Sequence, residues 1–139
     1  LQLLVDKVAE VCDQAAPLRI LEVGSGCGFV SALLAMLLLQ LRGPDRGDAV
    51  LAVEHVPELS EWSVENVRKN NAALLKEEGG PLDIRCGDAL RIEGVNPGNV
   101  DFVYSGCAFE SAATGAGQAL FGLLRAGGRL VSPFGPADE

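Results

Sequence analysis

The stretch LEVGSGCGFVSA, Leu21 to Ala32, sets three glycines at alternate positions, Gly24, Gly26 and Gly28, between an apolar run carrying Glu22 and a long apolar segment. Glycine tolerates positive φ and lets a ligand come close to the main chain, while a helix starting directly afterwards favours negative groups at its N-terminus. A tight strand-to-helix turn alone does not require three glycines in five residues. The dinucleotide spacing G-x-G-x-x-G would need glycine at 29, where Phe29 stands, and no Gly-Lys-Ser/Thr follows to make a phosphate loop. Nicotinamide, flavin and nucleoside-triphosphate sites are therefore disfavoured, and the stretch reads as strand, ligand-approaching turn and helix.

Outward from that turn, strand and helix patterns alternate. Leu3, Leu4, Val8, Val11 and Cys12 recur at helical spacing, predicting a first helix to about Ala15, which Pro17 ends. Leu18–Val23 is a short apolar strand, and Gly28–Leu41 a helix that GPDRGD breaks. Ala49–Glu54 is apolar at nearly every position, as expected of a parallel strand covered on both faces. Pro57 suits the first turn of a helix reaching about Leu75. Strands follow at Leu82–Cys86 and Val100–Tyr104, then a helix near Gln118–Leu124, a turn at Ala126-Gly127-Gly128 and a strand at Arg129–Ser132. The alternation predicts a doubly wound, mainly parallel α/β sheet of about five strands in one domain over residues 1–139, with a ligand at the carboxyl ends of the strands.

Composition narrows the function classes. The apolar run Phe29–Leu41, broken only by Ser31 and Gln40, falls short of the roughly 20 residues of a membrane span and predicts a buried helix. Nineteen acidic residues against 11 basic ones give a net charge of −8, and the basic residues do not cluster, so no nucleic-acid partner is expected. Cys12, Cys27, Cys86 and Cys107 form no CxxC pair and His55 is the lone histidine, so no metal site is expected. Scattered cysteines suit a reducing, cytoplasmic setting, and a monomer is expected. The chain opens inside a helical pattern without an initiator Met and stops soon after a strand, so a fragment truncated at both ends is expected.

Two further acidic residues fall at strand ends in register with the glycines. Glu54 ends the second strand, and Asp88 follows the third in Cys86-Gly87-Asp88-Ala89. The arrangement acidic-x-Gly-x-Gly-x-Gly, with these carboxylates behind it, resembles S-adenosylmethionine-dependent methyltransferases of class I. The segments LEVGSGCGFVSALLA, AVEHVPELSEWSVENVRKN, CGDAL and LRAGGRLVSPFGP together resemble the protein-L-isoaspartate (D-aspartate) O-methyltransferase family, from about Leu18 to Pro136.

The resemblance implies a Rossmann-like methyltransferase core that binds S-adenosylmethionine and leaves S-adenosylhomocysteine. It assigns cofactor binding to Glu22, Gly24, Ser25, Gly26, Gly28, Glu54, His55, Asp88 and Ala89. Glu22 would balance the ammonium, Glu54 would accept from both ribose hydroxyls, and Asp88 would accept from the adenine amine, with His55 against ribose or adenine. The acceptor implied is an isoaspartyl carboxylate in a damaged protein or peptide, methylated to start its repair. That carboxylate is ionised at neutral pH, so no general base is required, and no residue present is assigned a catalytic role. The segment Tyr104-Ser105-Gly106-Cys107 should border the acceptor pocket, and it departs from the family's usual His-Val-Gly. The family's Ser-Ala-Pro-His type of segment would lie before Leu1. Two alternatives follow from the departure: a non-catalytic, cofactor-binding adaptor, or a methyltransferase with a different acceptor.

Overall fold

The computed structural model describes residues 16–106 and 115–132, together with Gln2 and Asp6. Apart from Gln2 and Asp6, the first predicted helix lies outside the described residues, as does Cys107. Five strands form one all-parallel sheet: β1 (Arg19–Val23), β2 (Ala49–Glu54), β3 (Leu82–Cys86), β4 (Val100–Ser105) and β5 (Leu124–Val131), in the order β3-β2-β1-β4-β5. The helices are α1 (Phe29–Arg42), α2 (Pro57–Asn71) and α3 (Gly115–Phe121). The doubly wound α/β reading holds. Winding runs from β1 outward to β3 and then restarts on the other side of β1, so the switch in strand order lies between β1 and β4.

Successive strand residues point to opposite faces, and this sorts the core into two layers. Ile20, Val50, Ala52 and Phe102 pack with Leu34, Ala35 and Leu38 of α1 and Val67 of α2. Leu21, Val53 and Val103 pack on the other face with Leu120 of α3 and the adjacent Leu123. Coverage on both faces is why AVLAVE carries no polar alternation. Leu34 and Leu38 of α1 are fully buried, each contributing about 1.5–3 kcal/mol of apolar burial. No described helix is long and apolar enough to cross a membrane.

Three element boundaries differ from the sequence expectation. The second helix stops at Asn71, and two short 3-10 turns, Ala72–Leu74 and Lys76–Glu78, carry the chain to β3. Asn70 and Asn71 are weak helix formers, and Leu75 between the turns is already extended. The final helix begins and ends about three residues earlier than predicted, at Gly115–Phe121. The predicted turn at Ala126-Gly127-Gly128 is a bulge inside β5: Leu124 pairs with Val100 and Arg129 with Phe102. A Cβ on Gly128 would lie 2.9 Å from the Asp101 carbonyl oxygen, so the bare backbone is what lets β5 close against β4.

Candidate functional site

The strand tips are tied to one another by main-chain bonds that continue past the strands. The Gly24 N–H donates to Val53 O at 2.8 Å, and the Gly87 N–H donates to Glu54 O at 2.9 Å. These bonds bring the end of β1, the end of β2 and the turn after β3 around one cleft of about 550 Å³. Gly24, Glu54, His55, Asp88 and Ala89 line it, with apolar walls that include Val53 and Val56. Its volume and apolar lining with a few polar groups are those of a small-molecule site.

Glu54 organises the cleft. Its side chain is buried, with Oε1 accepting the Gly26 N–H and Oε2 the Val56 N–H, both at 3.2 Å. Each oxygen keeps a lone pair beyond its one main-chain bond, so the carboxylate can accept further hydroxyl donors. His55 stands 81% exposed at the mouth, its Nδ1 3.4 Å from Glu54 Oε2. Asp88 accepts the Leu90 N–H at 3.0 Å through Oδ1 and is more than half exposed; Arg91 Nε stands 3.9 Å from Oδ2, beyond hydrogen-bond distance, so that oxygen can still accept from a donor in the cleft. Ala89 is buried beside it.

The remaining turn residues face the helices. Ser25 is buried, with its Oγ 3.0 Å from Ser63 Oγ on α2. Gly28 has φ 88°, and a Cβ there would lie 2.8 Å from Ser63 O, so this glycine is required by the approach of α2 and by its own conformation. Gly26, at φ 54°, has no atom within 4 Å of where a Cβ would stand and presents open main chain. Glu22 is 1% exposed and accepts a hydrogen bond from the Ser31 hydroxyl in the first turn of α1. Burial lifts its carboxyl from the ordinary 4.5 to about 7; the Ser31 bond opposes the rise and the nearby Glu54 carboxylate adds to it. Among the described residues lining the cleft, none comes from Tyr104–Gly106. Tyr104 packs partly against the α1–α2 layer, Ser105 is buried, and Gly106 is exposed past the tip of β4.

Several contributors carried little sequence signal. Ala116 and Leu120 of α3 also line the cleft, and Ser63 and Asn66 of α2 contact the turn. Ser31 was visible as an interruption of the apolar run, but its partner was not. No group of three or more His, Cys, Asp or Glu among the described residues is placed to hold a metal ion.

The chain is similar in sequence and in fold to known methyltransferases. The chain is 36% identical over 119 residues to a protein-L-isoaspartate O-methyltransferase of Triticum aestivum, covering 86% of this chain and 46% of that protein. It is 32% identical over 136 residues to protein-L-isoaspartate O-methyltransferase 2 of Arabidopsis thaliana, covering 97% of this chain and 38% of the relative. The chain thus spans between about a third and a half of the length of the curated relatives it matches. Among solved structures, the Plasmodium falciparum beta-aspartate methyltransferase (PCMT), in complex with S-adenosyl-L-homocysteine, superposes with a TM-score of 0.61 at 22% identity, over 94% of this chain and 58% of that one. The Streptomyces achromogenes O-methyltransferase TomG, in complex with SAM, gives 0.56 at 17% identity, over 94% of this chain and 54% of that one. At such identities the structural likeness shows the class I methyltransferase fold alone. The family's sequence model matches residues 3–139, and the chain belongs to the protein-L-isoaspartate (D-aspartate) O-methyltransferase (PCMT) family.

Proposed function

We propose that this chain is the cofactor-binding core of an enzyme that transfers a methyl group from S-adenosylmethionine to the carboxylate of isoaspartyl or D-aspartyl residues in damaged proteins, the first step of their repair. The observation that carries the reading is the convergence of open main chain at Gly24 with the carboxylates of Glu54 and Asp88 on one apolar-walled cleft. Family membership supports the choice of acceptor.

The residues present fit a cationic nucleoside. Glu54 retains lone pairs for a pair of vicinal hydroxyls, because each oxygen holds only a weak main-chain donor at 3.2 Å. Asp88 and the buried Ala89 offer an acceptor beside an apolar wall, the pairing that an aminopurine edge and face require. Glu22, when ionised, adds a further negative charge at the base of the turn, which favours an ammonium group near it.

When bound, S-adenosylmethionine supplies an electrophilic methyl group on a sulfonium. The isoaspartyl acceptor is already a carboxylate at neutral pH, so the chain has no proton to remove. What the protein contributes is orientation and exclusion of water: the strand tips fix the cleft, and Val53, Val56 and Leu120 keep its wall dry. Tyr104, Ser105 and Gly106, at the end of β4 across the switch from β1, are proposed as the acceptor side.

The test is incorporation of labelled methyl by the full-length protein into an isoaspartyl peptide and its ordinary aspartyl counterpart, with calorimetry on S-adenosylhomocysteine alongside. Transfer to the isoaspartyl peptide alone is expected. Binding without transfer would leave the cofactor-binding adaptor as the better reading, and the absence of any binding would remove the cofactor assignment itself.

A further inference from the structure

The glycine-rich turn brings bare main chain to the cleft at Gly24. Gly24 and Gly26 sit at φ 87° and 54°, and open space flanks Gly26, so local sterics alone do not fix the turn's shape. Its restraints come from across the fold, on one face of α2. The Asn66 side-chain amide donates to the Cys27 carbonyl at 2.9 Å. The Ser63 hydroxyl donates to Ser60 O at 2.8 Å, so the 3.0 Å contact with Ser25 is one in which Ser25 donates to Ser63. Gly28 then allows the Ser63 backbone to come close enough for both bonds to form.

We infer that Asn66 and Ser63 are positioning residues that hold the glycine-rich turn in its ligand-ready shape without touching the ligand. The inference rests on the proposed cofactor reading and extends it to residues one layer away. Both bonds end on the turn, at the side chain of Ser25 and the carbonyl of Cys27, on either side of Gly26. Gly26 is itself the donor to Glu54, so α2 braces the turn from one side while the end of β2 holds it from the other. A turn held this way is ordered before the ligand arrives, and that ordering is then not charged against affinity.

Asn66→Asp keeps the side-chain shape but replaces the donor with an acceptor that repels the Cys27 carbonyl. In the full-length protein it should weaken S-adenosylhomocysteine binding about tenfold, the upper range for losing one such bond. The KM for S-adenosylmethionine should rise in parallel, while the KM for an isoaspartyl peptide stays within about twofold, and Asn66→Gln, which retains a donor, should recover part of the loss. Ser63→Ala should show a smaller loss of about threefold, and it serves if Asn66→Asp impairs folding. Asn70→Asp, one helical turn on, where the amide reaches only Asn66 O, is the control for charge on α2. Unchanged affinity in folded Asn66→Asp, or an equal rise in both KM values, would overturn the brace. Failure of the unsubstituted protein to bind would instead overturn the cofactor reading beneath it.

Discussion

The two ends of the sheet treat buried charge in opposite ways. At the amino ends, Arg42 and Asp48 form a 2.7 Å ion pair with side chains 0% and 5% exposed. Asp48 also accepts the Leu18 N–H, and Arg42 donates to Ala16 O, so the pair ties the end of α1 to the start of β1. Asp101 of β4 does similar work towards both neighbouring strands, accepting the Arg19 N–H of β1 and facing Arg125 of β5 at 3.2 Å. The cavity of about 340 Å³ that reaches from this end along the sheet to Arg85 also carries paired charge, with Arg85 2.8 Å from Asp83 on its wall. At the carboxyl ends, Glu22 and Glu54 are buried near each other, and the cation beside Glu54 is the exposed His55, charged only when protonated. One end satisfies its charges internally and holds the fold together. The other keeps an excess of negative charge at the place where a ligand would enter, at a cost in stability.

The contrast can be broken most severely at the amino end. Arg42→Ala leaves Asp48 buried and uncompensated and should cost about 3–5 kcal/mol, read as a lower midpoint in denaturant unfolding. A loss below about 1 kcal/mol would show that the pair is not buried in solution.

At the carboxyl end the sign reverses. Because the Glu22 carboxyl is raised to about 7 in the folded protein, folding favours its protonated form. Its contribution is fully present below about pH 4.5 and is lost as pH rises through about 7, since the unfolded chain releases that proton first. Glu22→Gln removes the titration, so the ligand-free variant should be more stable than the unsubstituted protein by up to ~3 kcal/mol at pH 8, with the gap closing towards pH 5. Equal stabilities across that range would mean that the carboxyl is solvated.

The smallest effect belongs to the rim. Asp88 is 57% exposed and its Arg91 contact is 3.9 Å, so Asp88→Ala should change stability by no more than about 0.5 kcal/mol. It should still weaken S-adenosylhomocysteine binding several-fold, by about 1 kcal/mol, which calorimetry would detect. Matching losses in stability and affinity would move Asp88 from the site to the scaffold.

Much of the scaffold was legible because its signals are local. Apolar runs of strand length, the Gly43–Asp48 break and Pro57 at a helix start each act within a few residues. The Ala126–Gly128 segment was misread as a turn because its bulge depends on how β5 docks on β4, which no local pattern encodes. The site shows the same division. Gly24, Glu54 and Asp88 could be aligned from the sequence because parallel strands place their carboxyl tips on one edge. The partners of the turn could not: Ser25 meets Ser63 and Cys27 meets Asn66 across 38 and 39 residues of chain. Nor could the sequence show that Gly28 is bare because a helix backbone packs on it, whereas Gly26 is bare towards open space.

The all-parallel pairing also bears on how the molecule comes to exist. With no hairpin among the described strands, β1 pairs first with β2, Arg19 with Ala49, and must wait for Phe102 to gain its other neighbour at Ile20. Such distant closures slow the search for the native state and leave hydrophobic strand edges uncovered while it lasts. The central strand that ends in the glycine-rich turn is therefore the one whose two flanks are completed furthest apart during synthesis on the ribosome, and a half-made chain would display it to chaperones before it could display it to a nucleoside.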